Sequence, residues 1–451
     1  MKLTFLGAAE TVTGSKYLIE SNGDKILIDC GLYQGLKLLR RRNWDPFPLS
    51  PQKIHAVLLT HAHIDHSGYI PLLVKNGFKG MVYATHATKD LCAILLPDSG
   101  FLQEEDARRA NKYGYSKHKI AMPLYTQAEA EESLKNFRTV AYTKPYQIGK
   151  TLSATWDPAG HILGASFIVC KANDTSILFS GDLGRLNDPV MKRPLDPPNV
   201  DYLVIESTYG DRLHPSSPPM ELLKDIIINT SQRGGTILIP SFAVGRAQSI
   251  LYYLYLLKKN QLIPDIPIFL DSPMAIDATN IFSKYVNEHR LTAAETKAVC
   301  HLAHLTRTPE ESKAINENTL PKIIISASGM ATGGRILHHL KFYAPSHRNT
   351  ILFAGYQAGG TRGDRILQGA KTIRIHGMDI LIGAQVEYLS NMSAHSDYQE
   401  ILTWLEKLHQ PPRQVFITHG EKAAAQSLKE KIEKKFGFNC SIPHYEETVS
   451  L

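Results

Sequence analysis

Apolar positions in the first 206 residues fall into short runs of strand length separated by turn residues. Lys2–Leu6, Lys16–Glu20 and Lys25–Asp29 read as strands, and Asn22-Gly23-Asp24 supplies a hairpin signal between the second and third. Ala56–Thr60 (AVLLT) is apolar without a break until its last residue, the pattern of a strand buried on both faces. The spacing over Ser67–Asn76 predicts a helix. Met81–Ala84, Thr151–Trp156, Ser166–Cys170, Ser176–Ser180 and Tyr202–Glu206 read as further strands. A loop carrying an acid or a histidine follows several of them.

The period changes near Ser207. Thr236–Pro240 (TILIP) precedes a helical stretch over Ala247–Lys259, and Pro267–Leu270 precedes one over Asp277–Glu288. Lys322–Ser326 and Thr350–Ala354 are again strand-like. Such alternation predicts βαβ units and a parallel sheet. Beyond Ile373 strand and helix pieces return with more histidines. The expected organisation is a first domain over residues 1–206, an inserted α/β domain over 207–368, and a segment over 369–451 that completes the first. There is no internal repeat or low-complexity stretch, and Arg40-Arg41-Arg42 and His214–Met220 read as surface loops.

A chain of 451 residues, 43% hydrophobic and 21% charged, has ordinary globular composition and enough material for two domains. Its net charge of +7 suits a polyanionic substrate, although the excess alone discriminates little. Cys30, Cys92, Cys170, Cys300 and Cys440 are scattered, with no CxxC pair, and read as free thiols in a reducing compartment. The N-terminus lacks the apolar core of a signal peptide, and no run of 18 apolar residues exists. The expected location is cytoplasmic, with no membrane association.

The densest chemistry is His61-Ala62-His63-Ile64-Asp65-His66, directly after the apolar run. Imidazole nitrogens and carboxylate oxygens are the donors that zinc accepts. His61 and His63, two apart, can face one side of an extended loop, and Asp65 and His66 lie where a second ion would sit. A solvated histidine-rich loop is a poor explanation for four donors in six residues. Three more donors follow strand-like runs: His161 in AGHILGA, Asp182 in SGDLG and His419 in THGE. Taken singly, each has an ordinary alternative, a hydrogen-bonded residue near a strand end; together they become specific.

The strings HAHIDHSG, AGHILGA, SGDLGR, ESTYGDR, SAHSD and THGE, in this order, resemble the metallo-β-lactamase superfamily. The later ones resemble its β-CASP branch of nucleic-acid-processing enzymes, which includes ribonuclease J and the endonuclease of messenger-RNA 3′-end cleavage. The resemblance covers nearly the whole chain. It implies an αββα sandwich interrupted by an α/β β-CASP domain. It also implies two Zn²⁺ ions: one held by His61, His63 and His161, the other by Asp65, His66 and His419, with Asp182 bridging. Mn²⁺ or Fe²⁺ suits the same donors, since geometry often decides among them. Asp29 matches an acidic motif that orients the histidine loop without binding metal. His395 matches the proton donor to the leaving oxygen, and Glu206 the residue that orients it. Asp65, His395 and Glu206 are thus the expected catalytic residues.

In the inserted region, the small residues of Ser326–Arg335 follow a strand. In the β-CASP branch a similar segment contacts RNA phosphates, which makes Ser241, Arg246, Ser328, Gly329 and Arg335 the expected phosphate contacts. The segment Gly355–Gly363 also resembles a family motif. The chain's extent resembles the short bacterial group, without the KH modules or added C-terminal domain of other members. The expected function is hydrolysis of RNA phosphodiester bonds in RNA processing or decay, by internal cuts, 5′ exonucleolysis or both. RNA is the expected partner, and a homodimer is compatible with the sequence. The alternatives are a hydrolase of small esters or thioesters, and a DNA nuclease of the same branch.

Overall fold

The computed structural model describes residues 1–114 and 119–451. The chain divides into two units, Met1–Leu213 with His395–Leu451, and His214–Ala394.

The first unit contains two seven-stranded sheets. One runs Thr448–Ser450, Lys2–Phe5, Tyr17–Ser21, Asp24–Ile28, Ala56–Leu58, Met81–Thr85, Phe137–Val140. The other runs Cys440–Ser441, Gln414–Thr418, Tyr202–Glu206, Thr175–Phe179, Ser166–Ala172, Leu152–Pro158, Pro145–Ile148. Their inner faces meet in one apolar core that joins Leu3, Ile19, Ile28 and Leu58 to Trp156, Ile168, Phe179 and Phe416. Polar ties cross this core: Trp156 Nε1 donates to the Leu59 carbonyl at 3.1 Å, and the Tyr17 and Thr418 hydroxyls meet at 2.9 Å. Helices lie outside, including His86–Tyr113 and Lys422–Phe436. This is the expected αββα sandwich.

Direction of the strands is what assembles a site. Thr175–Phe179, Tyr202–Glu206 and Gln414–Thr418 are parallel to one another. Leu152–Pro158 shares their direction, being two antiparallel steps from Thr175–Phe179. The loops after all four therefore emerge at one edge, where loops carry binding residues on a rigid scaffold.

The second unit holds a six-stranded sheet whose pairings are all parallel. Thr236–Pro240, Lys322–Ser326 and Thr350–Ala354 are buried at every position, as central parallel strands covered on both faces must be. The expected break at 368/369 falls inside this unit. Gln385–Leu389 pairs with Thr350–Ala354 as an edge strand, and its half-exposed pattern hid that membership.

Local differences have local causes. The helix expected over Ser67–Asn76 is two short ones, Ile64–Ser67 and Ile70–Lys75, parted at Gly68-Tyr69 with Pro71 opening the second. The helix expected from Asp277 begins at Pro273, because Ser272 caps it by accepting from Ala275 N. Arg40 and Arg41, expected in a loop, belong to a short helix, Lys37–Arg41. All five cysteines are free.

Candidate metal centre

Asp29 organises the histidine loop. It is buried and holds a left-handed φ of 57°, an uncommon setting for a non-glycine residue. Its carboxylate accepts from Thr60 N at 2.8 Å, from Thr60 Oγ1 at 3.0 Å and from His66 Nδ1 at 2.7 Å. Fixing Nδ1 turns His66 Nε2 inward, to 3.2 Å from Asp182 Oδ1 and 3.0 Å from His419 Nε2. Thr60 Oγ1 also meets His61 Nδ1 at 3.1 Å, which leaves Nε2 of that ring for the centre.

The donors form two adjacent groups. His61, His63, His161 and Asp182 place ligand atoms within 4.8 Å of one another, and so do Asp65, His66 and His419. His61 Nε2 and His161 Nε2 lie 3.1 and 3.2 Å from His63 Nδ1. Asp182 divides its oxygens between the groups. Oδ2 is 3.4 and 3.5 Å from the Nε2 atoms of His61 and His161, whereas Oδ1 is 3.2 and 3.5 Å from His66 and His419. Asp65 Oδ2 stands 3.6 Å from His419 Nε2.

This donor set fits a metal. Burial keeps His61, His63 and His161 below the usual histidine range, His63 at about 3, so each is neutral with a lone pair to give. Buried polar atoms ordinarily have partners, yet His161 Nδ1 and Asp182 Oδ1 have no hydrogen bond. His66 differs: burial disfavours its charge, but Asp182 and Asp29 raise it well above the usual range.

Beside this cluster, Glu206 ends its strand fully buried and accepts from Leu183 N at 2.6 Å. His395 Nδ1 lies 3.1 Å from Glu206 Oε2 and 3.9 Å from Asp182 Oδ2, and its ring rests on that of His161 at 4.5 Å. Burial works against charge on His395, and Glu206 and Asp182 more than reverse it, raising it to about 9. Its side chain keeps 17% exposure, and that of Asp65 keeps 21%.

Sequence reasoning missed several supporting residues. Thr60 and Thr208 each hold a histidine, Thr208 Oγ1 standing 3.2 Å from His419 Nδ1. The repeated Thr-His pair, Thr60-His61 and Thr418-His419, was the available signal, and Thr418 holds Tyr17. Gly31 is required by close approach, since a Cβ there would lie 1.6 Å from the Asp65 carbonyl oxygen. Gly31→Ala is therefore expected to cost about 1–3 kcal/mol, as overpacking does, and to lower metal content. Thermal melting and metal analysis check this.

The expected phosphate contacts all lie in the second unit. Ser241 is buried with its hydroxyl donating to the Phe242 carbonyl at 3.1 Å, and Gly329 is packed against Phe242. Arg335 binds Asp271 at 2.7 Å and the Thr306 carbonyl at 3.1 Å, serving the unit's own packing. Arg246 and Ser328 are half-buried.

The arrangement defines a metallo-hydrolase of the metallo-β-lactamase superfamily, whose family description matches residues 11–91. The Beta-Casp domain matches residues 247–366, and the Zn-dependent metallo-hydrolase RNA specificity domain matches residues 379–443. The chain is 36% identical to "Ribonuclease TTHA0252" of Thermus thermophilus over the full length of both. It is 31% identical to "Transcription termination factor FttA" of Methanosarcina mazei, spanning all of this chain and 72% of that one. It is 28% identical to "Integrator complex subunit 11" of Gallus gallus, covering 74% of it. A solved protein of unknown function from Enterococcus faecalis V583 shares the fold, with a TM-score of 0.56 at 14% identity over 100% of this chain and 99% of that one. The chain belongs to the β-CASP family of metallo-β-lactamase-fold proteins.

Proposed function

We propose that the chain is a two-zinc ribonuclease that hydrolyses RNA phosphodiester bonds. The carrying observation is the split of Asp182, one oxygen toward His61 and His161 and the other toward His66 and His419. In this reading His61, His63 and His161 hold one ion, Asp65, His66 and His419 the other, and Asp182 joins them. Zinc held there supplies Lewis acidity to a phosphoryl oxygen and lowers the pKa of water toward neutrality. Glu206 holds His395 Nδ1, which leaves Nε2 as the atom that hands a proton to the leaving oxygen. Arg246 and Ser328 remain the proposed phosphate contacts. The names ribonuclease and RNA specificity domain, borne by a relative and a matching family, support RNA as the substrate.

Removing metal tests this. Chelation should abolish cleavage of 5′-labelled single-stranded RNA, zinc should restore it, and matched DNA should stay intact. Metal analysis should return two ions per chain. Intact RNA with two ions bound, and turnover of an ester or thioester instead, would replace the reading.

A further inference from the structure

An outcrop whose root is bonded to the histidine loop is not used by the hydrolytic groups. Its base is closed by Asn43, 5% exposed, whose Oδ1 accepts from Tyr33 N at 2.9 Å and whose Nδ2 donates to Tyr33 O at 2.8 Å. The Arg42 guanidinium lies 4.2 Å from the Tyr445 ring and 5.5 Å from the Tyr33 ring. Above these anchors the helix Lys37–Arg41 buries no residue. Five residues cannot sustain a helix by their own propensity. What the segment does is present side chains to solvent: Leu36 is 59% exposed, Leu38 73% and Trp44 60%, beside exposed Lys37, Arg40 and Arg41.

The chemistry of this surface is one-sided. Leu36–Trp44 contains Lys37, Arg40, Arg41 and Arg42 and no carboxylate, and the exposed Asp45 follows it. The other two tryptophans, Trp156 and Trp404, are buried, so the exposed indole is a particular choice at position 44. The outcrop also stands on the right edge. It follows strand Asp24–Ile28, the parallel neighbour of Ala56–Leu58, whose end launches His61–His66. Cys30 N donates to His66 O at 2.7 Å and Leu32 N to Ile64 O at 2.9 Å, so its root is bonded to the metal loop.

We propose that Trp44, Arg40, Arg41 and Lys37 form a docking surface for single-stranded RNA away from the scissile bond. The indole stacks on a base while the cations bind neighbouring phosphates. A single strand offers the alternation of flat faces and anionic groups that this surface complements, and sequence-tolerant binders use the same pairing. The proposal rests on the RNA reading above.

Trp44 makes its own probe, because the other two indoles are shielded. The full-length, zinc-loaded His395→Ala chain is titrated with labelled single-stranded RNA of about 20 nucleotides, longer than a single docking site. Anisotropy reports binding, and tryptophan emission reports stacking. RNA should quench the emission, and Trp44→Phe should remove the quenched component. Trp44→Ala and the double change Arg40→Ala with Arg41→Ala should each weaken binding about tenfold, the latter with a shallower salt dependence. Circular dichroism and metal content establish that each variant is folded. Binding by anisotropy with unmoved emission and unchanged affinity in both variants overturns the docking surface and leaves the RNA reading standing. No RNA binding by the parent chain overturns both. Quenching by phosphatidylglycerol vesicles and not by RNA overturns it in favour of a lipid surface.

Discussion

Asp65→Ala is expected to lower RNA hydrolysis by several orders of magnitude while RNA binding persists. The side chain faces the second donor group, with Oδ2 at 3.6 Å from His419 Nε2 and 4.0 Å from His66 Nε2. Burial acts to raise its pKa, but the hydrogen bond from His419 and the neighbouring His66 hold it below the usual carboxylate range. Alanine removes a negative ligand where cationic charge must be offset. The loop itself should survive, because its backbone ties are independent of the side chain: Asp65 O accepts from Ser15 N at 2.8 Å. Single-turnover cleavage, metal analysis and RNA affinity measured together separate the outcomes. Slow cleavage with fewer than two ions and unchanged affinity is the expected result. Near-normal cleavage would sink the assignment of Asp65 to the centre.

The parts of this centre that could be read from sequence share one property: their chemistry is local. His61–His66 packs four donors into six residues after an uninterrupted apolar strand, and no ordinary loop needs that. The resemblance implied that Asp29 orients the histidine loop, but the partners of the long-range support could not be read from sequence. Asp29 reaches Thr60 and His66 across 31 and 37 residues, and Thr208 reaches His419 across 211. The surroundings of the expected phosphate contacts are long-range in the same way. A glycine-rich turn with Arg335 suggests an anion, yet the guanidinium is taken by Asp271, 64 residues away. The helix His86–Tyr113, which carries Pro97 in its interior, had no counterpart among the elements expected from sequence. Gly100 is a contact requirement, since a Cβ there would lie 2.7 Å from Gln127 N.

Those long-range ties explain how a sandwich becomes a catalyst. Four strands of one sheet end at one edge, so Glu206 and the short loops that carry Asp182 and His419 meet there. The loop Gly181–Gly184 is in turn bound to the segment that carries His395, through Ser396 N donating to Leu183 O at 2.8 Å. His395, the proposed proton donor, is thereby positioned by the same loop that carries Asp182. His395 contacts the donors His161 and Asp182, so metal content is measured beside cleavage in any variant at His395.

His395→Ala is accordingly expected to slow cleavage by about a hundredfold to ten-thousandfold, the range for losing a general acid, with metal content intact. Its pH dependence carries the sharper information. A donor works only while protonated, so wild-type activity should fall as pH rises through the donor's pKa. Glu206 and Asp182 raise His395 to about 9 against the effect of burial, and a cation on Asp182 pushes the value lower, which places the alkaline limb at or below about 9. Glu206→Gln removes one raising charge and should move that limb toward acid. His395→Ala should remove the limb, and leaving groups of low pKa should be cleaved almost as well by the variant as by the parent, because they need no proton. Loss of metal in His395→Ala would instead make His395 a ligand. An unshifted limb in Glu206→Gln would mean that the 3.1 Å contact orients the ring without setting its charge.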